Sequence, residues 1–175
     1  KKYKIGLLLP FYKNLNDTLT ASFVDKEEAS EIILGKSVMA LEFMQGVDLA
    51  LDSIKKLGIA IDMNVIDTRN DSAKVVDIIK SKVLDTMDLI IGPIYSRNMQ
   101  LVSKKYGSDR DKIIISPLSK SSDFLKNQVS TVQINTPFKQ QSKIISEFIK
   151  QKYDSQNIII CYDEQEKGLA LFMER

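Results

Sequence analysis

Short runs of aliphatic and β-branched residues alternate along the chain with longer stretches whose apolar positions recur every three or four residues. That alternation predicts strand–helix–strand units and a mostly parallel sheet. The first run, Ile5-Gly6-Leu7-Leu8-Leu9, is apolar without a polar interruption, which predicts a strand over residues 3–10 that is covered on both faces. Ala40, Met44, Val47, Leu51 and Ile54 follow at spacings of four, three, four and three, one stripe of a helix over residues 37–57 that Gly58 closes. The pattern continues as strand 59–66, helix 72–86, strand 88–92, helix 96–106, strand 112–116 and strand 129–135. The helix stripes are Val76, Ile79 and Val83, then Met99, Val102 and Tyr106. Connections this short force neighbouring parallel strands with right-handed crossovers.

Two regions depart from the alternation. A polar stretch from Tyr12 to about Lys36 reads as a surface insertion, within which Asp25-Lys26-Glu27-Glu28 has the form of a capping box for a short helix. After residue 135, Thr136-Pro137 predicts an N-cap followed by proline at the first helical position. The helix it opens runs to about Tyr153 over Phe138, Ile145, Phe148 and Ile149, and is followed by strand 157–162 and a helix start over 166–175. Residues 1–135 thus make a complete doubly wound, flavodoxin-like α/β layer. Residues 136–175 read as the beginning of a second α/β lobe, because so short a piece seldom builds its own core. On that reading Ile158 to Ile160 would be buried by a partner copy, a possible homodimer, or left poorly ordered, and membership of the first sheet would overturn it.

Composition narrows the chemistry. The 175 residues carry 25 Lys and Arg against 23 Asp and Glu, a net charge of +2, which does not fit a nucleic-acid clamp. There is no His, so Ser-His-Asp and Cys-His catalysis and imidazole metal sites are excluded. The single cysteine, Cys161, cannot form an internal disulfide and leaves the redox compartment open; placed in the apolar run 157–162, it reads as a small hydrophobe. No run approaches the roughly 18 to 20 apolar residues of a membrane span. Lys1-Lys2-Tyr3-Lys4 lacks the pattern of a signal peptide, so an exported protein would have had its targeting segment removed or left out.

Gly35-Lys36-Ser37 imitates the end of a phosphate-binding loop, but the first glycine of that motif falls on Ser30 and the residues between read as helix, so Ser37 is taken as an N-cap. No G-x-G-x-x-G occurs. Asp163, Glu164 and Glu166 lack the glycine and alternating oxygens of a calcium loop. Ligands of open parallel sheets sit beyond the carboxyl ends of the strands. The segments expected there are Pro10-Phe11-Tyr12, Asp67-Thr68-Arg69-Asn70, Gly92-Pro93-Ile94-Tyr95-Ser96 and Ser116-Pro117-Leu118-Ser119-Lys120-Ser121-Ser122. They offer hydroxyls, aromatics and few charges, with no nucleophile–base pair, which suits gripping a small polar molecule and not cleaving one. Ser96 opens a helix, whose free first-turn amides suit a carboxylate. Asp67 and Arg69 form a strand-end pair, or leave Arg69 as a fork for an anion, with the structural pair preferred. The candidate ligand-binding residues are Phe11, Tyr12, Arg69, Tyr95, Ser96, Ser119 and Ser121. No catalytic residue, metal or cofactor is assigned.

The order of the motifs Tyr3 to Phe11, Phe43 to Asp52, Asp88 to Pro93, Ile114 to Ser119 and Asn157 to Asp163 resembles the type I periplasmic binding proteins, the family of leucine/isoleucine/valine-binding proteins. Within it the chain is most similar to the solute-binding-like domain that follows LysM repeats in some cell-envelope lipoproteins, although no LysM repeat is present. The resemblance implies two lobes joined by hinge strands and closing on a small polar ligand such as an amino acid, peptide or peptidoglycan fragment. It also implies a location in the periplasm or cell envelope, with any lipid anchor lying in a segment outside this chain, and it places Ser96, Ser119 and Ser121 at the ligand's charged head. Where such amino-acid binders carry Tyr-Gly after the last strand, Glu166-Lys167-Gly168 stands here. Relatives that regulate peptidoglycan synthases bind a protein instead, so an interaction module that kept the fold without a ligand is the alternative.

Overall fold

The computed structural model describes residues 2–22, 33–154 and 156–163. Its centre is β1 (Lys2–Leu9), which pairs in parallel with β2 (Ala60–Asp67) from Lys2 opposite Ala60 to Leu9 opposite Asp67. On its other side β1 pairs with β3 (Leu89–Ile91), followed by β4 (Ile113–Ser116) and β5 (Thr131–Gln133). The order is β2-β1-β3-β4-β5 with every pair parallel, the doubly wound α/β sheet expected from the alternation. The helices are α1 (Lys13–Ser22), α2 (Gly35–Lys56), α3 (Ser72–Lys80), α4 (Ser96–Tyr106) and α5 (Phe138–Tyr153). Short 3₁₀ turns lie at Val83–Thr86 and Asp123–Leu125. None of these helices is long and apolar enough to cross a membrane.

The unbroken apolar run of β1 is explained by its position. Leu8 enters a core with Val75 and Ile78 of α3, Met99, Val102 and Tyr106 of α4, and Ile90 and Ile114 of the neighbouring strands. Leu7 and Leu9 point the other way, to Ala40 of α2 and Ile94, with Phe11, Phe43, Met44, Val47 and Met63 packed around them. Alternation along a strand sends successive side chains to opposite faces, and here both faces are covered.

Several elements differ from the expectation. The helix expected over 72–86 stops at Lys80, because Lys82 adopts a left-handed φ of 59° and the chain continues as a 3₁₀ turn; its buried positions are Val75 and Ile78, one residue from the predicted stripe. Ser37 is not an N-cap: Leu34 holds that place without a side-chain bond. The Ser37 hydroxyl instead donates to the Phe11 carbonyl at 2.7 Å and accepts from Asn16 at 2.9 Å, anchoring the exit of β1. Pro137, not Thr136, is the N-cap of α5. The predicted stripe of α5 faces outward, with Ile145 and Phe148 exposed. Within the 12–36 stretch, α1 occupies 13–22, while the capping box at 25–28 lies outside the described residues, as does the helix start at 166–175. The strand expected at 157–162 is irregular and outside the sheet, with Ile159 86% exposed. A strand persists only where a neighbour takes up its backbone bonds, and this run pairs with no described strand. Cys161 is accordingly exposed, not the small hydrophobe of a buried strand.

Two stability predictions follow from local geometry. Gly92 has φ +86°, and a Cβ there would press on the Leu8 carbonyl. Gly92→Ala should therefore destabilise by roughly 2 kcal/mol or more, read as a fall in the urea midpoint. The Tyr106 hydroxyl donates to Asp85 Oδ1 at 2.7 Å, and burial first, then this carboxylate, raise its pKa well above the usual 10.0. A raised folded-state pKa gives stability that is complete below about pH 10 and fades as pH rises towards the folded value. The wild-type chain should therefore lose stability above pH 10 more steeply than Tyr106→Phe, which a pH series of denaturation curves would show.

Candidate ligand-binding rim

Chain reversals at the carboxyl ends of five parallel strands meet on one edge of the sheet. The chain leaves β1 for β2 at one side and returns to β3 on the other, so the switch point lies beside the end of β1. Asp67, at the end of β2, ties the first two reversals together. Its Oδ1 accepts the Tyr12 and Arg69 backbone N–H groups at 3.2 and 2.9 Å, and its Oδ2 accepts that of Lys13 at 2.9 Å. The Arg69 Nε lies 3.9 Å from the same carboxylate, so Arg69 forms the strand-end pair anticipated from its spacing. Tyr12, Arg69 and Asn70 all have left-handed φ values, 51°, 52° and 49°. Non-glycine residues adopt that region at a cost, and the shared carboxylate helps to hold two of them there.

A second set of contacts joins the β2 and β3 reversals. Buried Asn98 of α4 donates to Asn70 at 3.2 Å and accepts from Ser72 at 2.8 Å, while Asp71 caps α3 through the Ala73 N–H. Burial and then the adjacent Tyr95 raise the pKa of Tyr12, with Asp67 adding to the effect and a hydrogen bond from Asn70 opposing it. Tyr12 and Tyr95 are therefore neighbours, and Tyr12 is a neutral phenol at physiological pH.

A third set joins β3 to β4. The Ser96 and Ser119 hydroxyls are 2.5 Å apart, and Ser119 also donates to the Ser121 carbonyl at 3.1 Å. Gln133 Nε2, from β5, donates to the Ser119 carbonyl at 2.7 Å. Ser121 lies 3.1 Å from an Asp123 oxygen; hydrogen bonds from Lys126 and then Ser121 hold the exposed Asp123 below the ordinary carboxylate pKa. The Ser116 hydroxyl and Gln133 Oε1, register partners across β4 and β5, are buried without a protein partner. Ser96 borders two grooves: one of about 780 Å³ lined by Asn70, Ser72, Tyr95 and Asn98, and one of about 380 Å³ lined by Lys120, Ser121, Asp123 and Phe138.

The structure thus brings Tyr12, Arg69, Tyr95, Ser96, Ser119 and Ser121 to one rim. Phe11 is there too, but it packs against the Leu7–Leu9 core and supports the turn from below. Spacing did not single out Asn98, Ser72 or Gln133; an asparagine in the first turn of a helix, where it favours turns over helix interiors, was the available signal for Asn98. No side chain caps the start of α4, whose N-cap is Tyr95. The amides of that first turn and the adjoining hydroxyls can accept the oxygens of an anion or a carbonyl. Among the described residues no group of acidic or cysteine side chains could hold a metal ion.

Solved structures share this architecture. An ABC transporter substrate-binding protein from Desulfitobacterium hafniense superposes with TM-score 0.66 at 17% identity, over 99% of this chain and 46% of that one. The fold is that of the type I periplasmic binding proteins. The leucine-binding protein LivK of Thermotoga maritima matches with TM-score 0.62 at 14% identity, over 98% of this chain and 44% of that one. A solute-binding protein of Rhodopseudomonas palustris in complex with 3,4-dihydroxybenzoic acid matches at TM-score 0.61 and 13% identity, over 87% of this chain and 37% of that one. The chain therefore spans less than half the length of these binding-protein structures. No protein-family model matches the sequence, and no curated protein does.

Asp67→Ala should leave three backbone N–H groups of the type I fold's first two reversals without their acceptor and destabilise by roughly 2 kcal/mol. A chemical denaturation curve measures it, and Asp67→Asn, which keeps an acceptor oxygen, should lose less.

Proposed function

We propose that this rim is half of a solute-binding cleft, and that the protein binds a small carboxylate-bearing ligand without transforming it. The observation that carries the reading is the conjunction at Ser96: an uncapped helix start, a hydroxyl paired with Ser119, and a groove on either side. Such a group of donors binds oxygens; of the two carboxylates beside it among the described residues, Asp123 is exposed and held below the ordinary carboxylate pKa, and Asp71 is engaged in capping α3 through the Ala73 N–H. The leucine-binding protein and the solute-binding protein in complex with 3,4-dihydroxybenzoic acid support a ligand with a carboxylic acid head. In the proposed arrangement Ser96, Ser119 and the first-turn amides of α4 take the carboxylate, Tyr95 and Tyr12 flank the body of the ligand, and Arg69 stays with Asp67.

The domain reading belongs to the same proposal. Residues 1–135 form the first lobe and residues 136–175 open a second, whose surface would face the rim and complete the cleft. The setting is the bacterial periplasm or cell envelope. The link to LysM-bearing lipoproteins and to peptidoglycan fragments rests on motif order alone.

Titrating leucine, 4-hydroxybenzoate, dipeptides and muropeptides into isotopically labelled protein should shift the backbone amides of residues 96–98 and 119–122 for at least one of them. The double variant Ser96→Ala, Ser119→Ala should weaken that ligand roughly tenfold, the loss of two ordinary hydrogen bonds. Silence across the panel, or shifts confined to other surfaces, would overturn the proposal.

A further inference from the structure

We propose that the free edge of β2 is a homodimer interface, through which two copies of the chain join their sheets antiparallel about a two-fold axis at Met63. β2 is eight residues long and, among the described residues, the outermost strand on its side, paired with β1 alone. An edge of that length presents a row of backbone donors and acceptors to any strand that can lie beside it. Natural edges are usually blunted by proline, by charged side chains, lysine above all, or by a bulge; neither proline, lysine nor a bulge interrupts Ala60 to Asp67, which pairs without a break, and its mid-strand charge, Asp62, is paired with Lys2 at 3.4 Å.

The surface is complementary to itself. Met63 packs on the α2 side of the sheet and Ile66 on the other, so Ile61, Met63 and Val65 share the α2 face. Beside them an apolar groove of about 510 Å³ is lined by Leu51, Ile59, Ile61, Met63 and the stem of Lys55. Val65, 42% exposed, stands beyond the groove on the same face. A two-fold axis normal to the sheet at Met63 sets Met63 opposite the partner's Met63 and Ile61 opposite the partner's Val65. Each copy thereby offers a valine to the other's groove, the reciprocal arrangement of an isologous contact. On the opposite face this register puts Asp62 beside the partner's Asn64. The register two residues away would set the Asp62 carboxylates against each other, at an energetic cost. A second copy is therefore the occupant for which this edge and groove are shaped, and the ligand rim at the strand ends stays open.

Sedimentation of the 175-residue chain from micromolar to submillimolar concentration should give a species of twice 19.8 kDa. Val65→Lys should raise the dimer dissociation constant about tenfold or more, since an ammonium would have to enter the groove unpaired, with an unchanged circular dichroism spectrum. In a Cys161→Ser background, Met63→Cys should cross-link to itself on oxidation, because directly opposed residues of an antiparallel pair lie about 4.5 to 5.5 Å apart at Cα, within disulfide range. A monomer throughout the range would overturn the proposal. So would a dimer indifferent to Val65→Lys that fails to cross-link at 63, the result expected if the exposed face of α5 drove association instead.

Discussion

Burial of β1 on both faces is the constraint from which the rest of the architecture follows. A strand with Leu8 in one core and Leu7 and Leu9 in the other must sit inside a sheet that carries helices above and below. The short crossovers then keep every strand parallel. Parallel strands deliver all their strand-to-helix turns to the same edge, so side chains far apart in sequence, such as Asn70, Ser96 and Ser119, become neighbours without any local signal between them. The rim is thus a consequence of core packing before it is a feature of ligand chemistry.

What was legible in the sequence is what periodicity and burial encode. The stripe Met99, Val102 and Tyr106 is buried as expected, because α4 packs on the sheet beside α3 in one shared core, and the five strands fall close to their predicted positions. Legibility failed where a residue's role depends on a partner distant in the chain. Ser37 looked like a helix cap, yet its hydroxyl serves the Phe11 carbonyl twenty-six residues earlier, and no local rule foretells that. The run 157–162 has the composition of a buried strand, but composition supplies only half of a strand; the other half is an edge to pair with. The same holds for α5, which meets the body at its first turn through the Phe138 N–H and the Lys120 carbonyl, with the Lys120 ammonium over the Phe138 ring, and leaves Ile145 and Phe148 uncovered.

Within the site, spacing predicted which segments meet but not how they are fastened. Spacing pairs Asp67 with the Arg69 side chain, yet its larger part is played through backbone amides of two different loops. A carboxylate gathering three N–H groups fixes loop geometry more firmly than a single exposed ion pair, since exposed pairs contribute between nothing and about 1 kcal/mol. The left-handed residues Tyr12 and Arg69 are tolerable because of that fastening, and Asn70 next to them is held through the Asn98 amide. Their position brings the Asn70 amide oxygen to the Asn98 amide.

The energetics of such a rim argue for a second surface above it. Three amides and two hydroxyls, at about 1 kcal/mol net for each hydrogen bond, would offer about 5 kcal/mol. Association entropy consumes much of that, and 4.1 kcal/mol corresponds to only about millimolar affinity. Water competes for every one of these groups while the groove is open. Covering the ligand removes that competition, adds apolar contact and strengthens each electrostatic term by lowering the local dielectric. The exposed apolar flank of α5 begins at Phe138 on the lip of the smaller groove. A rim able to orient a ligand but too open to retain it thus gives physical weight to a cleft that closes from two sides.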